Sequence, residues 1–308
     1  MHSVEKAFFY RITKAYPKLS EKKKRVADFV LQDYKRISLM TAKELAAQCR
    51  VSEPTIIRFA VNIGFSGYLE FVRHVKDMVQ MELSSVDRLF NATQQSDEAT
   101  TLEKYCKNAI NNLENLMESV SSTELQTIAR AIYHAQNVYV VGYRASAVPA
   151  SYFGYFLKRI RENVMIDTRL AWEINDSIAQ TAETSIIFVI TFQRYPRKII
   201  EFLEYAKKFN VKIISLSDSF ISPVINLSDQ YVVINLKGVS FVDPAAHVIT
   251  YLGSLIHEIT VIDTEKAMKF LKKFEEQVKI GNEFMVNDST PLWMPAPNNP
   301  KKMGGKGK

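Results

Sequence analysis

The chain has 308 residues, a formal net charge of +7 and a hydrophobic fraction of 47%. This length suffices for two compact domains or one large one, and the composition is that of a globular protein. The longest strongly apolar run, around Ile186–Ile190, is too short to cross a membrane, and residues 1–10 lack the pattern of a signal peptide. We therefore expect a cytoplasmic protein with no membrane partner.

The charge is distributed unevenly along the chain. Residues 1–83 contain 15 Lys and Arg against 9 Asp and Glu, residues 84–300 contain 21 against 24, and the last eight residues contain four lysines. A basic N-terminal region suits nucleic-acid phosphates, although solvated lysine-rich helix faces give the same imbalance. Because Cys49 and Cys106 lack the spacing of a metal site or a disulfide framework, we expect neither a metal nor a cofactor.

The N-terminal region shows the periodicity of amphipathic helices. Helices are predicted over residues 20–37, 41–49, 52–64 and 66–83. Thr41 and Glu44 have the spacing of a capping box, and Pro54 suits the first turn of the third helix. The polar segment 84–100 is predicted to be a linker between this domain, residues 1–83, and a second domain.

The second domain is predicted over residues 101–284 and the tail 285–308 is predicted to be disordered. Helix 102–120 precedes an alternation of apolar runs and amphipathic segments, and the runs are residues 137–142, 163–167, 185–192, 211–216 and 230–235. Runs rich in Val and Ile, separated by helices, are typical of a parallel sheet covered on both faces. The fold class is therefore an all-α domain followed by a flavodoxin-like α/β domain with a five-stranded parallel sheet.

The second and third helices have the pattern of a helix-turn-helix. Small Ala46 allows close approach of the two helices, and Thr55 and Arg58 are predicted to face outward near the start of the third helix. An αα-hairpin in an ordinary helical bundle has a similar pattern, so the spacing alone leaves both interpretations open.

A family resemblance favours the helix-turn-helix. Residues 38–75 resemble the N-terminal domain of the RpiR family of bacterial regulators, and the matching residues are Leu45-Ala46, Val51-Ser52, Pro54-Thr55-Ile56, Arg58-Phe59 and Gly64–Tyr68. The chain departs from the family at Arg50, where a small residue is usual in the turn. A left-handed backbone there costs a non-glycine residue about 1 kcal/mol.

The resemblance implies that a homodimer binds operator DNA in a sequence-specific manner. The sequence leaves open whether the protein as a whole is a dimer or a tetramer. We predict that Thr55 and Arg58 contact base edges. Candidates for phosphate contacts are Lys43, Arg50, Ser52, Ser66 and Tyr68. An ion pair between Arg58 and Glu44 is the structural alternative for Arg58.

Two predicted strand-to-helix loops have the composition of an anion site. Open α/β sheets bind ligands beyond the carboxyl ends of their strands. The candidates that follow the first and third predicted strands are Gly142, Arg144, Ser146, Thr191, Gln193, Arg194, Tyr195 and Arg197. Arg194 and Arg197 could be ordinary surface cations, but cations near a helix N-terminus are unfavourable, which favours an anionic partner.

Residues 105–260 resemble the sugar isomerase (SIS) domain that follows the DNA-binding domain in RpiR regulators. The order of the loops matches, as do Asp218-Ser219, Ser222-Pro223 and Leu227–Asp229. SIS loops usually have the patterns GxGxS and SxSG and bind a phosphorylated sugar. Here Arg144 replaces a glycine, and Thr191, Gln193 and Arg194 replace Ser, Ser and Gly. Arginine binds phosphate or carboxylate with two parallel hydrogen bonds, so we expect an anionic effector, a phosphosugar or an acidic sugar.

An SIS-type sugar-phosphate isomerase with an accessory helical domain is the alternative function. Isomerisation needs a general base, and the candidates are Glu173, His247, His257 and Glu258. Their spacing does not require catalysis, so we expect a regulator rather than an enzyme. A purely structural oligomerisation protein is a third interpretation. For the regulator, we hypothesise that the ligand rearranges the dimer and that helix 102–120 transmits the change to the DNA-binding domains.

Overall fold

The computed structural model describes residues 3–94, 99–170 and 172–283, so the predicted tail lies outside the described residues. The helices are α1 Ser3–Ala15, α2 Glu21–Ile37, α3 Ala42–Cys49, α4 Glu53–Asn62, α5 Tyr68–Glu82, α6 Ser85–Thr93, α7 Thr101–Ser119, α8 Ser122–His134, α9 Ala147–Leu157, α10 Trp172–Thr181, α11 Arg197–Lys207, α12 Ala246–Ile262 and α13 Thr264–Gly281. The strands are β1 Asn137–Gly142, β2 Val164–Asp167, β3 Ser185–Ile190, β4 Lys212–Ser217 and β5 Gln230–Val233.

Helices α1–α5 form one unit, which we call the helical head. Its core contains fully buried side chains from each of the five helices, including Phe8, Ile37, Leu45, Phe59 and Phe71. Packing of apolar helix faces against one another is the main source of stability for helices of this length. The predicted helix-turn-helix is α3 and α4, so it is held in place by this core.

The turn between α3 and α4 has the predicted local geometry. Thr41 and Glu44 form the predicted capping box, in which the Thr41 amide and hydroxyl donate to Glu44 Oε2 at 2.7 and 2.8 Å. Arg50 ends α3 in the left-handed conformation, with φ 53° and ψ 50°. This left-handed conformation explains why the family usually has a small residue here, since residues with a Cβ are strained in it.

The segment 84–100 contains a helix, α6. Leu83 and Ser84 alone separate it from α5, and Ser84 caps it together with Asp87. Helices α1, α6 and α8 were not among the predicted elements. The segment predicted as a linker therefore contains ordered structure between the helical head and the sheet.

The five strands form one parallel sheet in the order β2-β1-β3-β4-β5. In the register of the sheet, Val138 of β1 lies between Val164 of β2 and Ile186 of β3. This is the flavodoxin-like order. The predicted fold class is confirmed, and each of the five apolar runs forms a strand.

The sheet with α7–α13, which we call the sheet domain, has three layers. Alternate residues of a strand point to opposite faces, so Val138 and Val140 pack with α8, α9 and α12, whereas Tyr139 and Val141 pack with α10 and α11. All six residues of β3 are buried. A strand covered on both faces explains the continuous apolar run in the sequence.

The helical head contacts the sheet domain directly. Ser219 Oγ donates to Asp77 Oδ2 of α5 at 2.6 Å, and Ile221 packs against the core of the head. Arg88 of α6 forms an ion pair with Asp243 at 2.7 Å. Among the described helices, none combines the length and apolar character needed to span a membrane.

Candidate functional site

The order of the sheet determines where a ligand can bind. The chain runs from β1 outward to β2 and then crosses to β3 on the other side of β1, so the loops after β1 and β3 diverge. In open α/β sheets such a switch point opens a crevice at the carboxyl ends of the strands. The loops after β1 and β3 are the two that the sequence singles out.

A cleft of about 640 Å³ lies at this switch point. Its lining side chains include five cations, which are Arg88, Arg144, Arg194, Arg197 and Lys198. Asp243 is the one carboxylate among the described residues that line it. The N-termini of α9 and α11 adjoin the cleft and add the positive end of the helix dipole. The arrangement is suited to an anion.

Five of the eight predicted ligand residues line the cleft, and they are Arg144, Ser146, Gln193, Arg194 and Arg197. Gly142 lies behind them at the end of β1. A Cβ built at Gly142 would be 2.3 Å from the carbonyl oxygen of Ser146 and 2.6 Å from Cβ of Ala150. Glycine is therefore required at position 142 so that the loop can fold tightly over the strand.

Thr191 and Tyr195 do not line the cleft, contrary to the prediction. Thr191 is 1% exposed, and its amide and carbonyl bond to β4 residues. The Tyr195 hydroxyl donates to Asp218 Oδ1 at 2.9 Å, and burial, with the Asp218 carboxylate second, raises the pKa of Tyr195. The backbone of Thr191 and the side chain of Tyr195 thus bond to β4 and the residue after it, and Thr191 Oγ1 makes no hydrogen bond to any described residue.

Arg144 and Arg194 both have left-handed backbones, with φ 58° and 69°. They are the residues that replace glycines of the family pattern. The left-handed conformation that glycine adopts without strain is therefore kept at both positions, at a cost of about 1 kcal/mol each. In exchange, the chain places two guanidinium groups at the cleft. Such strain at a ligand site is a frequent accompaniment of function.

Sequence reasoning missed several residues of the cleft, namely Ser85, Arg88, Tyr143, Lys198, Phe241 and Asp243. Lys198 Nζ lies 5.8 Å from the centroid of the Tyr143 ring, within reach of a cation–π interaction. Ser85 and Arg88 belong to α6, whose start can be recognised in the sequence. Ser84 and Asp87 have the capping-box spacing, which marks a helix in the supposed linker.

Two carboxyl groups meet beside the cleft, where the head contacts the sheet domain. Asp218 follows β4 and accepts a hydrogen bond from the Tyr195 hydroxyl, and Asp77 accepts one from the hydroxyl of the adjacent Ser219. Burial raises the pKa of Asp218 to about 6, with a smaller contribution from the Asp77 charge. Burial also raises the pKa of Asp77. A charge on both groups is unfavourable here.

Three of the four candidate general bases lie away from the cleft. The His247 ring is fully buried, and its Nε2 lies 2.9 Å from the Asn235 carbonyl oxygen. Burial lowers the pKa of His247. His257 and Glu258 of α12 do not line the cleft. The Glu173 side chain lies outside the described residues.

The second candidate site is the outer face of α4. Arg58 is exposed, and Thr55 lies 2.9 Å, Oγ1 to Oγ, from Ser52 at the start of the helix. The alternative ion pair of Arg58 with Glu44 does not occur, because Glu44 binds Thr41 and, within the described part of the chain, Arg58 forms no ion pair. Arg58 is free to reach a base edge.

Most of the residues predicted to contact phosphates are exposed. The side chains of Lys43, Arg50, Ser52 and Ser66 are exposed. Tyr68 is placed differently from the prediction. It is 8% exposed, and its hydroxyl donates to the Met40 carbonyl oxygen at 2.8 Å. This hydrogen bond joins the start of α5 to the segment before α3, and the Tyr68 ring packs beside Phe71 in the aromatic core of the head.

Comparison with protein families agrees with this architecture. Residues 7–82 match the helix-turn-helix domain of the rpiR family, and residues 131–239 match the SIS domain. A helix-turn-helix head joined to an SIS domain defines a class of transcriptional regulators. The two matches together span more than half of the chain, and the chain belongs to the RpiR family of this class.

Relatives of similar length are named as regulators. An HTH-type transcriptional regulator of Caldanaerobacter subterraneus is 25% identical over 281 residues, which are 89% of this chain and 93% of the relative. RpiR of Escherichia coli is 23% identical over 70% of this chain and 71% of its own length. HexR of Pseudomonas aeruginosa is 24% identical over 65% of this chain and 69% of its own.

Solved structures share the fold. The sugar isomerase domain of an RpiR transcription factor from Sphaerobacter thermophilus matches with a TM-score of 0.55 and 24% identity, over 58% of this chain and 99% of that domain. The Vibrio vulnificus NanR protein, complexed with ManNAc-6P, matches with a TM-score of 0.55 and 18% identity, over 89% of this chain and 98% of NanR.

Proposed function

We propose that this regulator binds operator DNA through α4 and that an anionic metabolite in the cleft controls the binding. A phosphosugar is the leading candidate, with an acidic sugar as the second. The observation that carries the proposal is the set of five cations around the cleft at the β1/β3 switch point. A neutral sugar does not need such a set, whereas a phosphate or carboxylate accepts the charge-assisted hydrogen bonds that guanidinium groups donate.

The geometry favours binding over turnover. His247 is buried against a backbone carbonyl, and Asp243, the acid at the cleft, is held by Arg88. A general base must lie within hydrogen-bond reach of the proton it removes. The NanR structure gives a further argument for a phosphosugar, since that protein of the same fold is complexed with ManNAc-6P.

For the DNA interface, we propose that Thr55 and Arg58 read base edges and that Lys43, Arg50, Ser52 and Ser66 contact phosphates. Arg50, Ser52, Thr55 and Arg58 belong to the turn before α4 and to its first two turns, and Ser66 follows the end of α4; all of the six are exposed except Thr55, which is half-buried. A recognition helix of this motif inserts its N-terminal part into the major groove, and a dimer reads two half-sites.

A thermal-shift screen of phosphosugars and acidic sugars tests the effector. A ligand at a concentration of 100 times its Kd stabilises the folded state by about 2.7 kcal/mol. We expect at least one phosphosugar to raise the Tm and Arg194→Ala to reduce that rise. Ligands that bind without changing the affinity for operator fragments would exclude the regulatory role. Turnover of ketose or aldose phosphates would favour the isomerase alternative.

A further inference from the structure

Helix α6 lies between the helical head and the sheet domain and also forms part of the cleft wall. Ser85 and Arg88, one helical turn apart, both line the cleft. Ser85 Oγ accepts a hydrogen bond from Arg194 Nη1 at 3.2 Å. The element that follows the DNA-binding head is thus in direct contact with the cations of the proposed effector site.

The Arg88 side chain has an unused hydrogen-bond donor. The side chain is 16% exposed, and its Nη1 donates to Asp243 Oδ1 at 2.7 Å. Its Nε is buried and makes no hydrogen bond to any described residue. A buried N–H group without a partner is costly. The cleft lies against this side chain, but Nε itself is shielded while Arg88 is paired with Asp243, so a ligand oxygen can supply the missing acceptor only once the guanidinium moves towards the cleft.

The Asp243 carboxylate is placed where it can compete with a bound anion for the Arg88 guanidinium. It lies among the cations of the cleft, and Gln193 Nε2 donates to the same Oδ1 at 3.4 Å. A carboxylate near an anion site repels the anion and also binds the guanidinium that the anion needs. The charge of Asp243 and the charge of a bound anion therefore compete for Arg88.

We infer that Arg88 is an effector-binding residue supplied by α6, and that an anion in the cleft takes this guanidinium from Asp243. The inference rests on the proposed function and adds a route by which the site regulates DNA binding. Effector binding changes the partner of Arg88, and α6 follows α5 of the head after two residues. The position of the head thereby becomes coupled to occupancy of the cleft.

Calorimetric titration of the full chain tests this inference, because the substitutions of Arg88 and Asp243 should change the affinity for the probe in opposite directions. The probe is the phosphosugar that stabilises the wild type most, and inorganic phosphate if no phosphosugar does. Arg88→Ala should weaken binding of the probe about tenfold or more, because a charge-assisted hydrogen bond is lost. Asp243→Asn should tighten binding about threefold or more, because the competitor loses its charge. Arg130→Ala, at an exposed arginine of α8, is the control for loss of one positive charge.

A merely structural ion pair gives a different pattern. If Arg88 and Asp243 only held α6 in place, both variants would change the affinity in the same direction or not at all, and this result would overturn the inference. Arg88→Lys retains the charge without the Nε–H donor and should bind with intermediate affinity. Equal binding by Arg88→Lys and wild type would exclude the Nε contact.

Hydrogen exchange gives a readout that does not depend on affinity. Saturating probe should slow exchange of the α6 amides in the wild type and leave them unchanged in Arg88→Ala. Equal protection in both would also overturn the inference. If the wild type binds neither phosphosugars, acidic sugars nor phosphate, the proposed function itself fails. If the wild type binds a probe and Arg88→Ala binds it equally well, only the role of α6 fails.

Discussion

The DNA-reading surface and the cleft are built in different ways. Apart from the buried Tyr68, the candidate DNA residues come from one short stretch, from Lys43 to Ser66. All of these are exposed except Thr55, which is half-buried, and none belongs to the core of the head. The cleft combines four separated segments, around residues 85–88, 143–146, 192–198 and 241–243. Several of its side chains already bind one another, as in the pairs Arg88–Asp243 and Arg194–Ser85.

This difference predicts how substitutions act. A change on the outer face of α4 removes contacts with DNA and leaves the fold intact, whereas a change at the cleft alters both the fold and the binding of an anion. Substitutions in the two regions can therefore be compared in pairs, with stability and binding measured separately for each variant.

The largest expected effect is on the stability of the sheet domain. Gly142→Ala places a Cβ 2.3 Å from a backbone oxygen of the next turn. We expect a loss of about 3 kcal/mol in the free energy of unfolding, because the loop must move away from β1. Gly67→Ala in the head is the matched control, since no atom lies within 4 Å of the added Cβ, and it should stay within about 0.5 kcal/mol. Urea unfolding measures both, and equal effects would contradict the tight packing at Gly142.

The next effect concerns DNA specificity. Arg58→Ala should reduce discrimination between operator and altered sites by about 1 to 3 kcal/mol, because a base-edge contact is lost. Lys43→Ala should weaken binding to all sequences and lower the salt slope by about one unit. Binding titrations at several salt concentrations separate the two, and identical behaviour of the variants would contradict these roles.

A smaller effect is expected in the dependence of stability on pH. Burial raises the pKa of Asp218 to about 6 from its ordinary value of 3.8. The folded state therefore holds the Asp218 proton more tightly than the unfolded state, so the contribution of this group to stability is greatest below pH 4 and falls as the pH rises to about 6. Asp218→Asn should remove this fall and exceed the wild type by about 1 to 2 kcal/mol at pH 7.

The Asp218→Asn variant removes the charge of this side chain but can keep its hydrogen bond with Tyr195. An asparagine oxygen still accepts from Tyr195, and the advantage of the variant should vanish near pH 4. Asp77→Asn removes the neighbouring charge, which contributes to the raised pKa of Asp218, and should reduce the same pH dependence. Denaturant midpoints of the wild type and the variant from pH 4 to 8 provide the measurement, and an advantage of Asp218→Asn that does not grow between pH 4 and pH 7 would contradict the assignment.

The smallest expected effect compares two left-handed arginines. Arg50→Gly and Arg144→Gly both relieve backbone strain, and the flexibility of glycine in the unfolded chain offsets part of the gain. Each should raise the free energy of unfolding by less than about 1 kcal/mol. Only Arg144→Gly should also weaken binding of a phosphosugar, measured by thermal shift. Weaker binding in Arg50→Gly would show that the two regions are not separable in this way.

The sequence predicted most of the fold because its signals are local. Each strand of the sheet contains at least two Val or Ile residues. Thr41 and Glu44 mark the start of α3 with a capping box that depends only on their spacing. The same spacing recurs at Ser84/Asp87 and Ser121/Glu124, where α6 and α8 begin. Helix α6 was missed because the polar segment 84–100 was interpreted as a linker, and α8 was missed although it begins with the same signal between helix 102–120 and the first predicted strand.

The site was predicted less completely because its remaining parts depend on distant contacts. Arg144 and Arg194 follow strands and could be located from the order of the elements. Asp243 is far from Arg88 in the chain, and their ion pair forms only when α6 packs against the loop before α12. Tyr68 matched a family motif, but a motif does not distinguish a ring that packs inward from one that faces DNA.

The short joint between α5 and α6 has a mechanical consequence. Helix α5 has 15 residues and is about 22 Å long at a rise of about 1.5 Å per residue. If α5 pivots at Leu83 by about 10°, its far end, beside α4, swings through about 4 Å. One base-pair step of a duplex is about 3.4 Å. A rotation of this size would displace the end of α5 beside α4 by about one base-pair step, and it would also change the contact of Asp77 with Ser219.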